Sequence, residues 1–333
     1  MTVPKEKVYA VIMAGGKGAR LWPLSTEERP KPLISLNGNQ TLLEETVQRL
    51  FPLLLPENII VVANEASVDQ FRKILPIPVE NIIAEPCRRN TAPCVALATA
   101  LIRRRTEDAV IIMLPADHKI FPVKSFQKDL AACVDNVEHG NLLILGVLPN
   151  FPATGYGYAK MGEEIAPGFY KVVAFREKPD EKTARNYVVS GDYCWNCGIF
   201  IWTAAAITES FKRYYPALFE KIEAWVGGKD FQDDFAECDA ISFDYAVMEK
   251  AENVVVKLVS FYWSDIGSFR SIYNLCDKDE YGNAICAQGR VIVENSDLNL
   301  IVCDDDTEIR LHSLRKYAVI KSGKRLLISE LPE

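Results

Sequence analysis

The chain has 333 residues, 49% of them hydrophobic, so it is long enough to bury a large core in one big domain or in a big and a small one. Its 38 basic and 45 acidic side chains give a net charge of −7, which excludes the broad basic face that nucleic acid requires. This charge balance leaves small anionic ligands, bound by a few local cations, as the expected partners.

Neither a membrane segment nor a secretory leader is expected. No apolar run approaches the roughly 20 residues of a membrane helix, and the N-terminal MTVPKEK lacks the apolar region of a signal peptide. Nine cysteines form an odd set, and we interpret them as reduced, mostly buried thiols. Cys194 and Cys197 form a CxxC pair, for which a metal or redox role is the weaker interpretation. These features predict a soluble, cytoplasmic protein.

The first half of the chain alternates short apolar runs with longer amphipathic ones. The apolar runs predict buried strands at residues 8–13, 58–63, 82–84, 109–114 and 142–147. The amphipathic segments predict helices at residues 41–54, 68–75, 91–105 and 126–137. Such alternation is typical of an α/β fold, here a Rossmann-like, mixed but mostly parallel sheet with helices on both faces.

The second half changes character twice. From about Ala153 the elements become shorter and more aromatic, as expected of an insertion that builds the second wall of a pocket. After roughly Tyr281 the helical signal disappears and short Val/Ile/Leu pairs alternate with polar turns. This tail predicts a small all-β domain, either of stacked strands or β-helix-like, without a clean hexapeptide period. We therefore predict a large domain at residues 1–280 and a β-rich domain at residues 281–333.

The β-rich tail also bears on assembly. Apolar pairs such as Leu300 with Val302 and Leu326 with Ile328 fall on strands too few to cover both of their faces. An uncovered apolar face or strand edge invites a partner. The tail is therefore expected to pack on the large domain or on a second subunit, and a homodimer is the simplest closed assembly.

A glycine-rich loop follows the first predicted strand. Its glycines permit positive φ and let backbone N–H groups close on anionic oxygens, while two later cations supply charge-assisted donors. The spacing matches neither a P-loop nor a dinucleotide GxGxxG, and a solvent-exposed turn is the alternative. We interpret the loop as a nucleoside triphosphate site. Its candidate nucleotide-binding residues are Ala14, Gly15, Gly16 and Gly18, and its candidate catalytic cations are Arg20 and Lys31.

Two carboxylates follow apolar runs elsewhere in the chain. Asp117 comes directly after a buried strand, which places it at the mouth of the sheet where a hard cation would bridge phosphate oxygens. His118 beside it is expected to hydrogen-bond locally, because Mg²⁺ prefers oxygen ligands. Asp265 follows the apolar stretch 254–261 and is either a second ligand or the N-cap of the next helix.

The end of the third predicted strand has a carboxylate that could recognise a nucleotide base. Glu85 ends that strand, and a carboxylate can accept hydrogen bonds from both the ring N–H and the exocyclic amine of guanine. Asn90 and Thr91 then open a helix with an early proline, Pro93. We take Glu85, Asn90 and Thr91 as candidate nucleotide-binding residues.

The aromatic second half holds candidates for a sugar phosphate site. Carboxylate and amide groups suit sugar hydroxyls, and an ammonium suits the phosphate. For Glu177 and Lys178, a hairpin with solvated charges is an equally good interpretation. The candidate sugar-phosphate-binding residues are Gly155, Glu177, Lys178 and Asn196.

These segments together resemble the sugar-nucleotidyltransferase family, most closely its mannose-1-phosphate guanylyltransferase branch. The motifs occur in the family's order over roughly residues 8–268: GGKGARLWPLS, EPCRRNTAP, PADH, TGYGYA, FREKP, WNCGIF, FDYAVMEK and WSDIGS. The resemblance implies transfer of GMP from GTP to mannose 1-phosphate with Mg²⁺. It further implies the roles of the candidates: Arg20 and Lys31 on the triphosphate, Asp117 and Asp265 on Mg²⁺, Glu85 on the base, and Gly155, Glu177, Lys178 and Asn196 at the sugar phosphate.

Three alternatives accompany this hypothesis. Two keep the chemistry but change a substrate, to another sugar 1-phosphate such as manno-heptose 1-phosphate or to another nucleotide such as dTTP. The third is a catalytically silent subunit that senses a nucleotide sugar on the same fold. The intact glycine loop, Asp117 and Asp265 argue against a silent subunit, because a sensor has no need to keep them.

Overall fold

The computed structural model describes residues 2–16, 18–36, 40–137 and 140–331. Lys17 of the glycine loop lies outside the described residues. The α-helices in the described part are α1 (Leu42–Leu50), α2 (Glu65–Ile74), α3 (Thr91–Arg103), α4 (Val123–Asp135), α5 (Glu181–Ser190), α6 (Ala204–Tyr214), α7 (Pro216–Val226) and α8 (Phe269–Leu275). Among these, none has both the length and the apolar composition of a membrane span.

The strands fall into three parts of the chain. The first part of the chain forms β1 (Val8–Ala14), β2 (Ile59–Asn64), β3 (Ile82–Glu85), β4 (Val110–Pro115), β5 (Lys119–Phe121) and β6 (Leu142–Val147). The second part forms β7 (Tyr158–Ala166), β8 (Phe169–Arg176), β9 (Tyr193–Thr203), β10 (Val254–Leu258) and β11 (Tyr262–Ser264). The C-terminal part forms β12 (Ala284–Ala287), β13 (Val291–Glu294), β14 (Leu300–Cys303), β15 (Ile309–His312), β16 (Tyr317–Ser322) and β17 (Arg325–Glu330).

Local chemistry sets the ends of the predicted helices. The helix predicted at residues 41–54 ends at Leu50, because Pro52 disfavours helical geometry at the residue before it. The helix predicted to begin at residue 68 begins at Glu65, because the Asn64 side chain accepts a hydrogen bond from the Ala66 N–H at 3.2 Å. The five predicted strands of the first half are confirmed to within a residue or two at each end.

The central sheet is mixed. Its nine strands lie in the order β3-β2-β1-β4-β9-β6-β10-β8-β7. Pairing is parallel from β3 to β4 and between β6 and β10. It is antiparallel where β9 lies between β4 and β6 and around the β7–β8 hairpin. The prediction of a mostly parallel sheet is therefore right for β1 to β4 and for the β6–β10 pair. It is wrong for the pairings of β7, β8 and β9, because a hairpin and an inserted strand reverse the chain direction there.

The chain forms two compact units. The first consists of Met1–Gly15, Arg49–Pro115 and Ile120–Trp263 and contains the central sheet. Its strand β1 is buried along almost its whole length, and helix α3 is buried at most of its positions. Small side chains in α3, such as Ala96 and Ala98, allow close packing on the sheet.

The second unit consists of Gly16–Gln48, Ala116–Lys119 and Ser264–Glu333. In its C-terminal part β12, β14 and β16 pair in parallel, β17 adds antiparallel to β16, and β13 pairs with β15 in a second sheet. Its core joins two distant parts of the chain, since Leu21 and Ile34 pack in one cluster with Leu300 and Ile320. The predicted change to strands after residue 281 is confirmed over the described residues.

One cysteine prediction is wrong. Cys276 and Cys286 form a disulfide, whereas all the cysteines were expected to be free thiols. The fold brings the two together, because Cys276 is the C-cap of α8 and Lys278 just after it forms an antiparallel bridge with Ala284 of β12, the strand that contains Cys286. Cys194 and Cys197 of the CxxC pair are free and buried in β9, and burial raises the pKa of Cys194 to about 12.

Candidate active site

A cavity of about 320 Å³ in the second unit brings together most of the candidate phosphate and metal residues. The glycine loop, the segment after β4 and the segment after β11 each contribute to its wall. Its lining includes Gly18, Arg20, Lys31, Asp117, Asp265 and Gly267. The three candidate motifs, far apart in sequence, therefore share one small pocket.

Lys31 connects the two carboxylate-bearing loops of this pocket. It is buried, with 8% of its surface exposed. Its Nζ lies 3.0 Å from Asp117 Oδ2 and donates a 2.5 Å hydrogen bond to the main-chain oxygen of Asp265. These charge-assisted contacts fix the ammonium between the two loops that present the carboxylates.

Gly18 has a specific steric reason to be glycine. Its φ of +67° lies in the left-handed region, and a Cβ there would lie 2.5 Å from the Cβ of Lys31. The Ser25 hydroxyl donates to the Gly18 carbonyl oxygen and ties the loop to the segment that follows. At Gly16 a Cβ would lie 3.8 Å from Asp117 Oδ2, so the loop also passes beside that carboxylate.

Arg20 occupies a different environment. It lies in a short 3-10 helix, Ala19–Leu21, whose Leu21 is buried and anchors it to the core. Arg20 itself is exposed at the pocket wall. The pocket therefore combines an exposed guanidinium and a buried ammonium with the two carboxylates of Asp117 and Asp265.

The two carboxylates suit a hard cation. Asp117 Oδ1 lies 3.9 Å from His118 Nε2, while Asp265 Oδ1 accepts a 3.0 Å hydrogen bond from the Gly267 N–H. The described residues contain no group of three or more side chains of the metal-ligating types. Two carboxylates fit Mg²⁺, which in nucleotide enzymes takes its other ligands from phosphates and water. The N-cap of α8 is Ser268, in a capping box with Ser271, so the alternative N-cap interpretation of Asp265 is wrong.

Glu85 lies in the first unit at the end of β3. It is 6% exposed, and its Oε1 is buried without a hydrogen-bond partner among the described residues. Burial raises its pKa to about 7, against the opposing effect of a hydrogen bond from the Cys94 thiol. A Cβ on Gly15 would lie 3.5 Å from Glu85 Oε2, so the start of the glycine loop passes beside this carboxyl group.

Asn90 and Thr91 make structural contacts at the start of α3. The Asn90 side chain accepts a 2.9 Å hydrogen bond from the Thr91 N–H, and Asn90 has a φ of +65°. The Thr91 hydroxyl oxygen accepts a 2.8 Å hydrogen bond from the Phe243 N–H. Both residues therefore shape the backbone beside β3, whatever ligand binds there.

The sugar phosphate candidates also lie in the first unit, and three of them lie close together. Lys178 Nζ is 2.6 Å from Glu177 Oε1, and the Asn196 N–H donates to the Gly157 oxygen in the preceding motif at 2.8 Å. A Cβ on Gly157 would lie 2.6 Å from Glu177 Oε2. Glu177 and Asn196 are buried, which disagrees with a solvated hairpin, whereas Lys178 is half exposed. Gly155 is exposed, and a Cβ there would meet open space.

A family model described as nucleotidyl transferase matches residues 9–281. The chain belongs to the nucleotidyl transferase family. This membership confirms the family and the enzyme class that the motifs predicted.

The relatives of this nucleotidyl transferase have more specific names. A mannose-1-phosphate guanylyltransferase of Salmonella muenchen is 37% identical over 339 residues, which cover 98% of this chain and 71% of the relative. A mannose-1-phosphate guanylyltransferase of Escherichia coli is 34% identical over 332 residues, which cover 96% of this chain and 70% of that relative. The crystal structure of a mannose-1-phosphate geranyltransferase from Thermus thermophilus superposes with a TM-score of 0.91 at 33% identity, covering 98% of this chain and 95% of that one.

Two residues that contact the sugar phosphate candidates were not assigned a role from the sequence. Asp244 accepts a 3.2 Å hydrogen bond from Asn196 Nδ2, and Glu249 Oε1 accepts a 3.0 Å hydrogen bond from the Glu177 N–H. Both lie in the FDYAVMEK motif of this nucleotidyl transferase, which was the available signal. The motif alone did not reveal which of its acidic residues point toward Glu177 and Asn196.

Proposed function

We propose that the protein transfers GMP from GTP to α-D-mannose 1-phosphate, forming GDP-mannose and pyrophosphate. The names of the relatives at 34–37% identity support this substrate pair. The observation that carries the chemistry is the position of Lys31, whose ammonium contacts both carboxylate-bearing loops inside a pocket lined by Arg20 and the glycine loop.

The reaction asks for alignment and charge neutralisation rather than proton removal. A sugar 1-phosphate oxygen is already anionic at neutral pH, so the protein needs no general base to create the nucleophile. It must hold that oxygen in line with the departing pyrophosphate and stabilise the charge that develops on the leaving group. Arg20 and Lys31 are the cations proposed for that task, and the N–H groups of the glycine loop at Ala14, Gly15, Gly16 and Gly18 would add neutral donors.

Asp117 and Asp265 are the residues that would hold Mg²⁺. When bound, the ion would neutralise phosphate charge next to the reacting centre. Lys31 has a positioning task as well, because its contacts fix Asp117 Oδ2 and the backbone of Asp265 relative to each other. Loss of Lys31 would therefore remove a cation and loosen both proposed ligands.

Glu85 is proposed to recognise guanine. Its buried Oε1 has no partner among the described residues, and a buried acceptor of this kind is costly unless a ligand satisfies it. The ring N–H and exocyclic amine of guanine supply two donors to a carboxylate, which adenine does not. These donors would favour the ionised form of a group whose pKa burial raises to about 7. Asn90 and Thr91 would support the same nucleotide from the start of α3.

At the other substrate, Glu177 and Asn196 are proposed to bind sugar hydroxyls, and Lys178 the phosphate. Gly155 is proposed to belong to the same site, where a Cβ at this position would meet open space. Glu177 and Asn196 are buried and hydrogen-bonded within the protein, to Lys178 and to Asp244 and Gly198, so their polar groups are held in fixed positions for a ligand.

The wider architecture is part of the proposal. We interpret the central sheet as Rossmann-like and the C-terminal strands, with their parallel pairing of β12, β14 and β16, as β-helix-like. Residues 1–280 would form the catalytic domain and residues 281–333 the C-terminal domain. A cytoplasmic homodimer remains the proposed state.

A grid of pyrophosphate-release assays tests the function. The four common NTPs and dTTP are combined with mannose 1-phosphate, glucose 1-phosphate and manno-heptose 1-phosphate. The expected result is that GTP with mannose 1-phosphate has the highest kcat/KM, with loss of turnover when a chelator removes divalent metal. A preference for another pair would change the substrate assignment, and no release in any well would favour the silent, sensing subunit.

A further inference from the structure

The segment from Ile241 to Glu249 connects two groups of candidate residues within the first unit. At one end, the Ile241 oxygen accepts a 3.1 Å hydrogen bond from the Ala92 N–H, and the Phe243 N–H donates to Thr91 at 2.8 Å. The next residue, Asp244, accepts a hydrogen bond from Asn196, and Glu249 at the end of the segment accepts one from the Glu177 N–H. The segment is thus anchored at the start of α3 and presents its carboxylates to the sugar phosphate candidates.

The local winding explains how two acidic residues five positions apart act together. Asp244–Met248 forms a π-helix, and the Glu249 N–H donates to the Asp244 oxygen at 2.9 Å. Because this i→i+5 hydrogen bond closes one turn between them, Asp244 and Glu249 lie on successive turns at roughly the same side of the segment. Such π turns are rare and occur often at functional sites.

The turn that they hold is strained. Lys178 has a φ of +44°, an unfavourable conformation for a long side chain. Its backbone N–H donates to the Tyr156 oxygen at 3.2 Å, and the neighbouring Glu177 N–H is held by Glu249. A strained backbone persists only where its surroundings fix it, and here the fixing contacts come from the π-helix and the glycine motif.

Asp244 also fixes the amide of Asn196. Asn196 Nδ2 donates to Asp244 at 3.2 Å, while its Oδ1 accepts a 2.9 Å hydrogen bond from the Gly198 N–H. Because an acceptor faces the nitrogen of the amide and a donor faces its oxygen, the Asn196 amide has a single orientation. An amide that binds a sugar hydroxyl needs this orientation to be set before the ligand arrives.

We propose that Asp244 and Glu249 are positioning residues for the sugar 1-phosphate, holding the Glu177–Lys178 turn and the Asn196 amide in their binding arrangement. This inference rests on the proposed function and adds two residues to it. The assignment concerns one substrate only, because the contacts of both carboxylates described above lead to the sugar phosphate candidates and to neither Glu85 nor Lys31.

The charges around Asp244 predict that binding of the sugar 1-phosphate depends on pH. The groups that face Asp244 are the carboxylates of Glu177 and Glu249 and the ammonium of Lys178. Burial, aided by Glu177, raises the pKa of Asp244 to about 7. Burial lowers the pKa of Lys178, but its carboxylate neighbours outweigh this and leave the pKa raised, so the ammonium stays charged. Above about pH 7 an ionised Asp244 adds negative charge beside the bound sugar phosphate.

Steady-state kinetics of the full chain test the proposal. In Asp244→Ala the KM for mannose 1-phosphate should rise about tenfold or more, while the KM for GTP stays within about twofold. Asp244→Asn keeps the acceptor for Asn196 and should restore most of the affinity. Glu249→Ala should behave like Asp244→Ala, with Glu249→Gln as its conservative partner. Glu252→Ala is the matched control, because Glu252 lies in the same region but is exposed, with 77% of its side chain accessible, and pairs with Arg213.

The pH profile separates positioning from mere stability. In the wild type the KM for mannose 1-phosphate should increase as pH rises from about 6.5 to 8.5, and in Asp244→Asn this increase should be lost. The second ionisation of the substrate phosphate, near pH 6, is common to both proteins and cancels in the comparison. Equal rises in both KM values, an unchanged KM in Asp244→Ala, or identical pH profiles would each overturn the proposal.

The wild-type control distinguishes this inference from the proposed function. If the wild type turns over a different sugar 1-phosphate, the substrate assignment fails and the same KM comparison is made with that sugar. If Asp244→Ala does not fold, the test uses Asp244→Asn and Glu249→Gln, with folding checked by circular dichroism. The proposal stands if Asp244→Asn loses the pH dependence of the KM for mannose 1-phosphate while both variants keep most of the affinity, and it fails if their pH profiles equal that of the wild type.

Discussion

Arg20 and Lys31 carry the same charge but occupy different environments, and this difference predicts different mutant behaviour. Arg20 is exposed, so Arg20→Ala should leave thermal unfolding nearly unchanged. If its guanidinium acts on the leaving group, kcat should fall by about a hundredfold or more. Arg290→Ala, at an arginine with 75% of its side chain exposed, is the control. Near-normal turnover of Arg20→Ala would favour the alternative interpretation, in which Arg20 belongs to a solvent-exposed turn without a catalytic role.

Lys31→Ala should reduce both activity and stability. The side chain is buried and bonds Asp117 and the Asp265 backbone, so its loss removes an ion pair and a hydrogen bond from a buried site. We expect a destabilisation of about 1–3 kcal/mol, measured by urea unfolding, together with a kcat loss comparable to that of Arg20→Ala. Full stability with lost activity would show that Lys31 is catalytic without organising the pocket.

Glu85 carries the prediction on base selectivity. Glu85→Gln keeps the shape but turns one acceptor into a donor, so the preference for GTP over ATP and dTTP should fall by about 1–3 kcal/mol in kcat/KM. The competition is measured with equimolar nucleotide pairs. A preference that survives the change would show that Glu85 supports the glycine loop at Gly15 and does not contact the base.

At the scale of elements, the N-cap of helix α8 lies close in sequence to Asp265 of the phosphate pocket. Ser268 caps the helix three residues after Asp265, and its hydroxyl accepts a 3.2 Å hydrogen bond from the Ser271 N–H. Ser268→Ala should destabilise the protein by about 1 kcal/mol in urea unfolding. Ser190→Ala, at the exposed end of α5, is the comparison. Equal midpoints for the two variants would mean that the cap contributes nothing measurable.

Elements also show where sequence reasoning succeeds and fails. Strands β1 to β4 were predicted because each is a continuous apolar run, and Glu85 and Asp117 were found because they follow such runs. The position of β9 between β4 and β6 was not predicted, because pairing partners far apart in sequence leave no local signal. Asp244 and Glu249 were not assigned because the π-helix that aligns them has no clear sequence pattern.

For the whole molecule, the shared core of the second unit predicts the effect of truncation. Leu21 and Ile34, which flank the proposed cations, pack with Leu300 and Ile320. Deleting residues 282–333 should therefore abolish nucleotide binding as well as reduce solubility. Equilibrium binding of GTP to the soluble fraction measures this, with circular dichroism to establish that the rest of the chain is folded. Wild-type GTP affinity in the truncated chain would contradict the prediction.

The dimer is a prediction about the surface of the same unit. Leu326 and Ile328 of β17 are 57% and 55% exposed, and β17 is an edge of its sheet. Exposed apolar residues on an edge strand favour association. Light scattering at micromolar concentration should give the mass of two chains, and Leu326→Lys with Ile328→Lys should shift it toward one. A monomeric wild type would remove the dimer from the proposal.

The sequence separation inside the phosphate pocket has a consequence for how the protein is made. Lys31 and the Asp265 backbone that it contacts are 234 positions apart. At a synthesis rate of about 5–20 residues per second, the ribosome needs roughly 10–50 s to produce the second after the first. A nascent chain therefore contains its glycine loop long before the Asp265 oxygen that Lys31 contacts, so the phosphate pocket is complete only after residue 265 has been synthesised.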